Sequence, residues 1–339
     1  MNRLEKYIIH NLSLLFLSIF SALFAIASVI FLIKLATYTA VIQLSIVEMA
    51  KLYLFVLPEI LFYILPITFF ISATLSLFQL SNDNEIVVIF SLGIHPKFIL
   101  KTLLKPAFFL TTLLFFNYLI LYPHTKILYK NFISYKKSEA KFNLSASEFG
   151  HKFGDWLLYL GTKNSDGSYG NVFLFNKNQK EEILIGAKNA QVINDSGVLR
   201  LKLKDGQGYS YSPKSFSQIN FQTMFINDTM TTHLTTYKGF LEYWLDKHKA
   251  KKKRSMLITN TLLSLFPILS LFLIASIGIV HVRHKKAMVY LYLFLTIIIF
   301  YGMALGLQKL FIYNTIPIVI FSWLITTYFI YKKTILSRF

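Results

Sequence analysis

Six long apolar runs dominate the sequence, three on each side of a polar middle section. The first run, 12–33, has roughly 22 residues, which is enough for a helix to cross the hydrocarbon core of a bilayer. Ala25-Ile26-Ala27 resembles a signal-peptidase site, but the apolar run continues beyond it, so we interpret the segment as a retained anchor. The other predicted spans are 52–80, 98–122, 256–280, 287–307 and 315–331. The pattern therefore predicts a polytopic α-helical membrane protein with six transmembrane helices.

A short helix is predicted between the second and third spans, over residues 82–93. Asn82 is a candidate N-cap, and Glu85 three residues later can complete a capping box. Gly93 is a natural left-handed stop, and Pro96 prevents continuation of the helix. Because so short an apolar helix needs tertiary contacts, two interpretations are open. It is either an interfacial helix in the lipid headgroups or a docking helix for a cytoplasmic protein.

The polar middle section predicts an inserted all-β domain of the sandwich or jelly-roll kind, because turn signals separate short strands. Residues 198–204 alternate, with leucines on one face and cations on the other. Segments 172–175 and 183–185 are apolar on both faces, which fits either a covered interior strand or an open lipid-holding groove. We divide the chain into 1–122 (spans one to three with the short helix), 123–250 (the jelly-roll-like domain and its connectors) and 251–339 (spans four to six).

The composition supports the membrane assignment. Hydrophobic residues make up 55% of the 339 positions, which is too many for one soluble domain. The formal net charge is +19, but in a polytopic protein anionic lipid and membrane orientation explain this better than nucleic acid, so no nucleic-acid partner is predicted. The chain has no cysteine, which excludes disulfides, zinc–thiolate sites and cysteine nucleophiles.

The positive-inside rule gives an orientation for the spans. The short loops on one side carry Arg3, Lys6, Lys97, Lys101, Lys105, Arg283, Lys285, Lys286, Lys332, Lys333 and Arg338, whereas the opposite short loops hold only Lys34, Lys51 and Lys309. This places both termini and the short helix in the cytoplasm and the middle domain outside. The basic stretch 247–254 then abuts the fourth span on the outer side, and long translocated domains are largely exempt from the rule.

The order of these parts resembles the LptF/LptG permease family of the lipopolysaccharide-export ABC transporter, over nearly the whole chain. The residues that carry the resemblance are Lys34, Pro58-Glu59, Leu65-Pro66, Asn84-Glu85-Ile86-Val87-Val88, Ser91-Leu92-Gly93-Ile94, Val172-Phe173-Leu174 and Arg254. Pro58-Glu59 and the passage Asp166-Gly167 to Leu174 are more similar to LptF than to LptG. One departure is that Arg254 is not followed shortly by the proline common in the family, since Pro267 comes later.

The resemblance implies a half-transporter that is not itself an enzyme. Two permeases of this family would pair around a lipid cavity, and two copies of a separate cytoplasmic ATPase subunit would bind below. Lipopolysaccharide would pass from the inner membrane to a periplasmic jelly-roll bridge protein, toward the outer membrane.

Candidate contact residues follow from position and resemblance together. For coupling to the ATPase, we predict the residues of the short helix Glu85, Ile86, Ile89, Phe90 and Gly93. For lipopolysaccharide, we predict cations at the outer ends of spans, which can meet headgroup phosphates, and aromatic residues of the apolar strand: Lys34, Lys309, Lys253, Arg254, Phe173 and Phe175.

Several chemistries are excluded or unsupported. The chain has no GxxxxGK[ST] loop, so it is not the ATP-hydrolysing part. His281 and His284 stand in a basic loop without a carboxylate, and we predict no metal site, no cofactor and no catalytic residues. The alternatives are a permease of another lipid or lipoprotein exporter and an integral membrane lipid-modifying enzyme. The latter needs clustered polar residues inside the spans, which are scarce here.

Overall fold

The computed structural model describes residues 3–39, 44–141, 149–153, 156–164, 167–177, 181–195, 198–213, 215–227, 239–245, 250–279, 288–310 and 314–337. The chain divides into two compact units. The helical unit comprises Met1–Ala36, Ile46–Leu128 and Tyr237–Phe339, and the β unit comprises Thr37–Ser45 and Tyr129–Thr236.

The helices follow the apolar runs of the sequence. They are α1 (Arg3–Thr39), α2 (Ile46–Asn82), α3 (Glu85–Ser91), α4 (Lys97–Phe116), α5 (Tyr122–Lys141), α6 (Phe240–Leu245), α7 (Ala250–Leu269), α8 (Leu271–Gly278), α9 (Met288–Leu310) and α10 (Thr315–Tyr331). A π-helical turn, Asn117–Leu121, joins α4 to α5, and another, Lys332–Leu336, follows α10.

The described helices give five to six candidate membrane crossings. Five continuous segments are long and apolar enough to span a bilayer, and the sixth is the pair α7 and α8, bent by 45° at Ser270. Pro267 lies in the last turn before this break, where it removes a backbone donor and crowds the preceding turn. The prediction of a polytopic α-helical membrane protein is thereby confirmed, with six spans when the bent pair is counted as one.

The helical unit is built around a close contact between α2 and α8. A Cβ atom at Gly278 would lie 2.7 Å from the Cβ of Leu77 and 2.8 Å from the carbonyl oxygen of Thr74. One turn further along α2, the Ser81 hydroxyl donates to the carbonyl oxygen of Gly278 at 3.0 Å. Small residues let helix backbones approach in this way, and the hydroxyl then gives the pair a fixed register.

The β unit contains one antiparallel sheet in its described residues, with the strands in sequence order. These strands are β1 (Phe149–Phe153), β2 (Trp156–Lys163), β3 (Tyr169–Lys177), β4 (Glu182–Asp195), β5 (Val198–Ser212) and β6 (Ser215–Asn227). Because every strand pairs with its successor, the sheet is a meander. The inserted all-β domain is confirmed, but its described strands form a single sheet in meander order and not the two packed sheets of a sandwich.

One face of the sheet carries the core of the β unit. Val172 and Leu174 on β3 and Leu201 and Leu203 on β5 are fully buried there. The alternation predicted for 198–204 is therefore correct, with the lysines of that strand on the other face.

Gly278→Ala should destabilise the helical unit, because the new methyl group meets backbone and Cβ atoms that cannot rotate away. Overpacking of this kind costs about 1–3 kcal/mol, so the thermal midpoint of the detergent-purified protein should fall. Gly302→Ala on α9 is the matched control, since a Cβ there meets no described atom within 4 Å. Equal midpoints for the two variants would contradict the close contact.

Candidate functional site

The short helix between α2 and α4 is shorter than predicted and begins later. Helix α2 continues through Asn82, with the amide of Asp83 donating to the Gln79 carbonyl at 3.0 Å. The chain then turns at Asn84, which has a left-handed φ of 61° and precedes the first helical residue, Glu85. The predicted capping box from Asn82 to Glu85 is wrong, because Asn82 is the last residue of α2 and Asn84 is the residue that precedes α3.

The predicted stop of α3 is confirmed at Gly93. This residue has a φ of +81°, the left-handed conformation that glycine adopts without strain. Its amide donates to the Phe90 carbonyl at 2.9 Å, and the amide of Ile94 donates to the Ile89 carbonyl at 3.4 Å. This double closure is a Schellman motif, which satisfies the last carbonyls of the helix.

The two sides of α3 differ in burial. Ile86 is buried in the core of the helical unit, Ile89 is also buried, and Phe90 packs partly against the core. Val87, Val88 and Leu92 are exposed, the last to 73%. Of the predicted coupling residues, the two isoleucines therefore anchor the helix, and the exposed apolar positions are ones that the prediction omitted.

The Glu85 carboxylate is held by the first helix of the chain. The hydroxyl of Tyr7 donates to Glu85 Oε2 at 2.7 Å. Two residues earlier on α1, the Glu5 carboxylate pairs with Lys105 of α4 at 3.0 Å. Together with the buried side chain of Ile8, these contacts attach the start of α1 to α3 and α4.

The predicted cationic residues lie at the opposite end of the helical unit. Lys34 is exposed near the end of α1, about 40 Å along the helix from Tyr7 at 1.5 Å per residue. Lys253, in the first turn of α7, donates a hydrogen bond to the Tyr243 carbonyl, and its Nζ lies 4.1 Å from the centre of the Tyr243 ring. Arg254 is exposed beside it, whereas the side chain of Lys309 lies outside the described residues.

Polar contacts join the helices at this end. Glu59 of α2 pairs with Lys126 of α5 at 3.0 Å, and Asn117 donates to the Pro58 carbonyl at 3.2 Å. Burial, and then the charge of Glu59, raise the pKa of Tyr243, so its hydroxyl stays neutral near pH 7. Pro58-Glu59 thus has a structural role in holding α2 against the π-helical turn and α5.

The aromatic candidates lie on β3 and differ in exposure. Phe173 is 47% exposed on the face of the sheet opposite the core, and Phe175 on the same face is half-buried. The covered-strand interpretation holds for Val172 and Leu174, and Phe173 lines an open groove on the other face. That this groove holds lipid stays a prediction.

Other candidates fall outside the described residues or were missed. His281 and His284, like Lys247 and Lys249, lie outside the described residues. Tyr7 was missed, although a tyrosine in the first turns of a span is a common interfacial residue. Its contact with Glu85, 78 positions away, has no local signal in the sequence.

Comparison with known proteins gives one family. A family model described as "Lipopolysaccharide export system permease LptF/LptG" matches residues 6–336. This range includes all six crossings and the inserted sheet. A search of individual curated proteins finds no match.

Tyr7→Phe should loosen α3, because it removes one hydrogen bond and leaves the ring in place. A bond of this kind contributes about 1 kcal/mol, which corresponds to about fivefold faster amide exchange. Hydrogen–deuterium exchange over residues 85–92 measures the effect. Tyr290→Phe, on the exposed face of α9, is the matched control. Unchanged exchange in α3 would show that the Tyr7–Glu85 bond does not stabilise it.

Proposed function

Because the chain belongs to the LptF/LptG family of lipopolysaccharide export permeases, we propose that it is an LptF-like permease subunit of an ABC transporter. This transporter extracts lipopolysaccharide from the inner membrane and passes it to a periplasmic bridge protein. The family match over 6–336 is the observation that carries the proposal. The six crossings and the inserted sheet have the architecture that such a subunit requires.

The membrane orientation follows from the distribution of basic residues. Both termini and α3 lie in the cytoplasm, and the β unit lies in the periplasm, in a multi-pass protein of the inner membrane. Polar contacts lie at both ends of the helices, where a spanning helix leaves the bilayer. Glu5 pairs with Lys105 and Tyr7 bonds to Glu85 at one end, and Glu59 pairs with Lys126 at the other.

Helix α3 couples the permease to a cytoplasmic ATPase dimer. Its exposed side presents Val87, Val88 and Leu92 next to the carboxylate of Glu85. An apolar patch beside an anion suits a partner pocket with an apolar wall and an arginine at its rim. Its buried side passes any displacement to α2 and α4, because packed helices move as rigid bodies.

Lipopolysaccharide is held at the outer end of the helical unit, where a second LptF/LptG-type permease completes the lipid cavity. Lys34 and Arg254 are exposed at this end and can meet phosphates of the lipid headgroup. Lys253 contributes mainly to structure, since its ammonium group already bonds to α6. Helix α1 is exposed along most of its length, which suits lipid or the second permease as its neighbour.

Glu85→Ala tests the coupling role in the complex reconstituted with its ATPase and second permease in proteoliposomes. Losing a charge-assisted contact should slow lipopolysaccharide release at least about tenfold, while ATP hydrolysis continues. Tyr7→Phe measures the share of the loss that comes from the internal bond. Glu182→Ala, which breaks an exposed ion pair with Lys177 in the β unit, is the matched control.

The outcomes separate the two roles of Glu85. A loss larger for Glu85→Ala than for Tyr7→Phe indicates a contact with the ATPase. A complex with Glu85→Ala that assembles and transports at the wild-type rate would show that coupling does not use this residue. A reconstituted wild-type complex that hydrolyses ATP but releases no lipopolysaccharide would overturn the proposed function.

Lys34→Ala should weaken the stimulation of ATPase activity by lipopolysaccharide and leave basal activity intact, because it removes a headgroup contact and no nucleotide contact. Lys34→Glu should have a larger effect, since it places a carboxylate against phosphate. Lys252→Glu, in the exposed basic start of α7, is the comparison. Normal transport by Lys34→Glu together with failure of Lys252→Glu would move the headgroup site to α7.

A further inference from the structure

An open groove of about 510 Å³ lies on the β unit, mainly on the face of the sheet opposite the core, with Ala187 and Phe221 of the core side contributing to its lining. Its floor follows one row of paired residues across four strands: Phe173, Gly186, Gln207 and Asn220. Leu184 and Tyr209 lie one pair further along on the same face and close one end. The groove lies entirely within the β unit.

Gly186 leaves the space that makes this row a groove. A Cβ atom at this position would lie 3.2 Å from the ring of Phe173, closer than nearly all Cβ contacts. The ring therefore lies against the glycine, lines the groove and is 47% exposed. An aromatic side chain over a cross-strand glycine is a rigid platform, because little rotamer freedom remains to it.

The remaining lining is mixed, with polar side chains beside the apolar Leu184, Ala187 and Phe221. The hydroxyl of Tyr209 donates to Gln207 Oε1 at 2.6 Å, which orients that amide with its nitrogen available as a donor. Asn220 and Asp205 add further polar groups to the lining. An acyl chain laid against them would leave several polar groups without water or a partner, which is costly.

A sugar ring matches both kinds of surface. Its C–H face packs on an aromatic ring, and its hydroxyl groups both donate to and accept from amide side chains. The groove is open along its length, so a chain of sugars can enter without a conformational change. Phe173, Tyr209, Gln207 and Asn220 therefore provide the stacking and hydrogen-bonding groups of a saccharide site.

The charge beside the groove favours an anionic saccharide. Lys188 lines the groove, and Lys204 and Lys202 follow on the same face of β5, about 7 Å apart at strand spacing. Asp205 is the one carboxylate among the lining residues. Within the lining, Lys188 and Asp205 balance each other in charge. The positive charge beside the groove therefore comes from Lys204 and from Lys202, whose ammonium group lies 5.8 Å from the centre of the Phe225 ring. Ammonium groups at this edge suit phosphate groups on the sugar.

We propose that this groove binds a phosphorylated oligosaccharide. The proposal deepens the proposed function and rests on it in one respect, since the saccharide portion of lipopolysaccharide then supplies the ligand. The β unit would hold the sugar portion of the lipid on this face, and acyl chains would travel elsewhere. Phe173 then contacts sugar and not hydrocarbon, which revises its expected role.

Isothermal titration calorimetry of the full chain in nanodiscs tests the site without ATPase or transport. The probe is the lipid-free phosphorylated core oligosaccharide released from lipopolysaccharide by mild acid. The comparison ligands are the same oligosaccharide after phosphatase treatment and a C12 fatty acid below its critical micelle concentration. We expect saturable binding of the phosphorylated probe, weaker binding of the dephosphorylated one, and no competition from the fatty acid.

Two variants locate the binding, and two controls match them. Lys188→Glu should weaken binding about tenfold by removing a charge-assisted contact, and Phe173→Ala should weaken it by a similar factor through loss of the platform. Lys163→Glu is the control for charge, on an exposed strand position outside the groove. Leu157→Ala is the control for loss of exposed apolar area on the same sheet. Thermal midpoints show whether each variant is folded.

The results separate this proposal from the proposed function. Absence of saturable binding by the folded chain, equal binding by Lys188→Glu, or displacement of the probe by the fatty acid would each overturn the saccharide site. Oligosaccharide binding by a chain whose reconstituted complex does not move lipopolysaccharide would support the groove and overturn the proposed function. Lipopolysaccharide transport without oligosaccharide binding would support the proposed function and overturn the saccharide site.

Discussion

The close packing of α2 against α8 is the contact on which the helical unit depends. Because Gly278 has no side chain, the two backbones approach until Leu77 and Thr74 touch the glycine, and Ser81 bonds to its carbonyl oxygen. Ser81 is also the penultimate residue of α2, directly before the turn into α3. The contact that joins the first and second halves of the chain therefore lies directly before the turn into α3.

Helix α3 is in turn connected with the opposite end of the helical unit through α1. Helix α3 has only seven residues and depends on burial of Ile86 and Ile89 and on the hydrogen bond from Tyr7. Helix α1 carries that connection about 40 Å to the level of Lys34. The Tyr7–Glu85 hydrogen bond and α1 therefore connect α3 with the end of the helical unit at which Lys34 lies.

The two faces of the sheet in the β unit differ: one carries the buried core, and the other carries an open groove. One face buries Val172, Leu174, Leu201 and Leu203, and this alternation holds the sheet together. The other face needs no apolar cover, so it can present aromatic rings, amides and ammonium groups in a groove. Neighbouring positions of one strand, such as Val172 and Phe173, therefore have different roles because strand side chains alternate.

The sequence alone determined the features that depend on local pattern. Six apolar runs predicted six crossings, alternation predicted the strand around Leu201, and Gly93 predicted the end of α3, because backbone satisfaction in lipid, strand geometry and left-handed φ each restrict nearby residues. Only the tertiary structure decided the rest. Asn82 lies in the last turn of α2 and does not cap α3, and Glu85 accepts a hydrogen bond from Tyr7, 78 positions away. The groove combines residues of four strands whose register no single segment encodes.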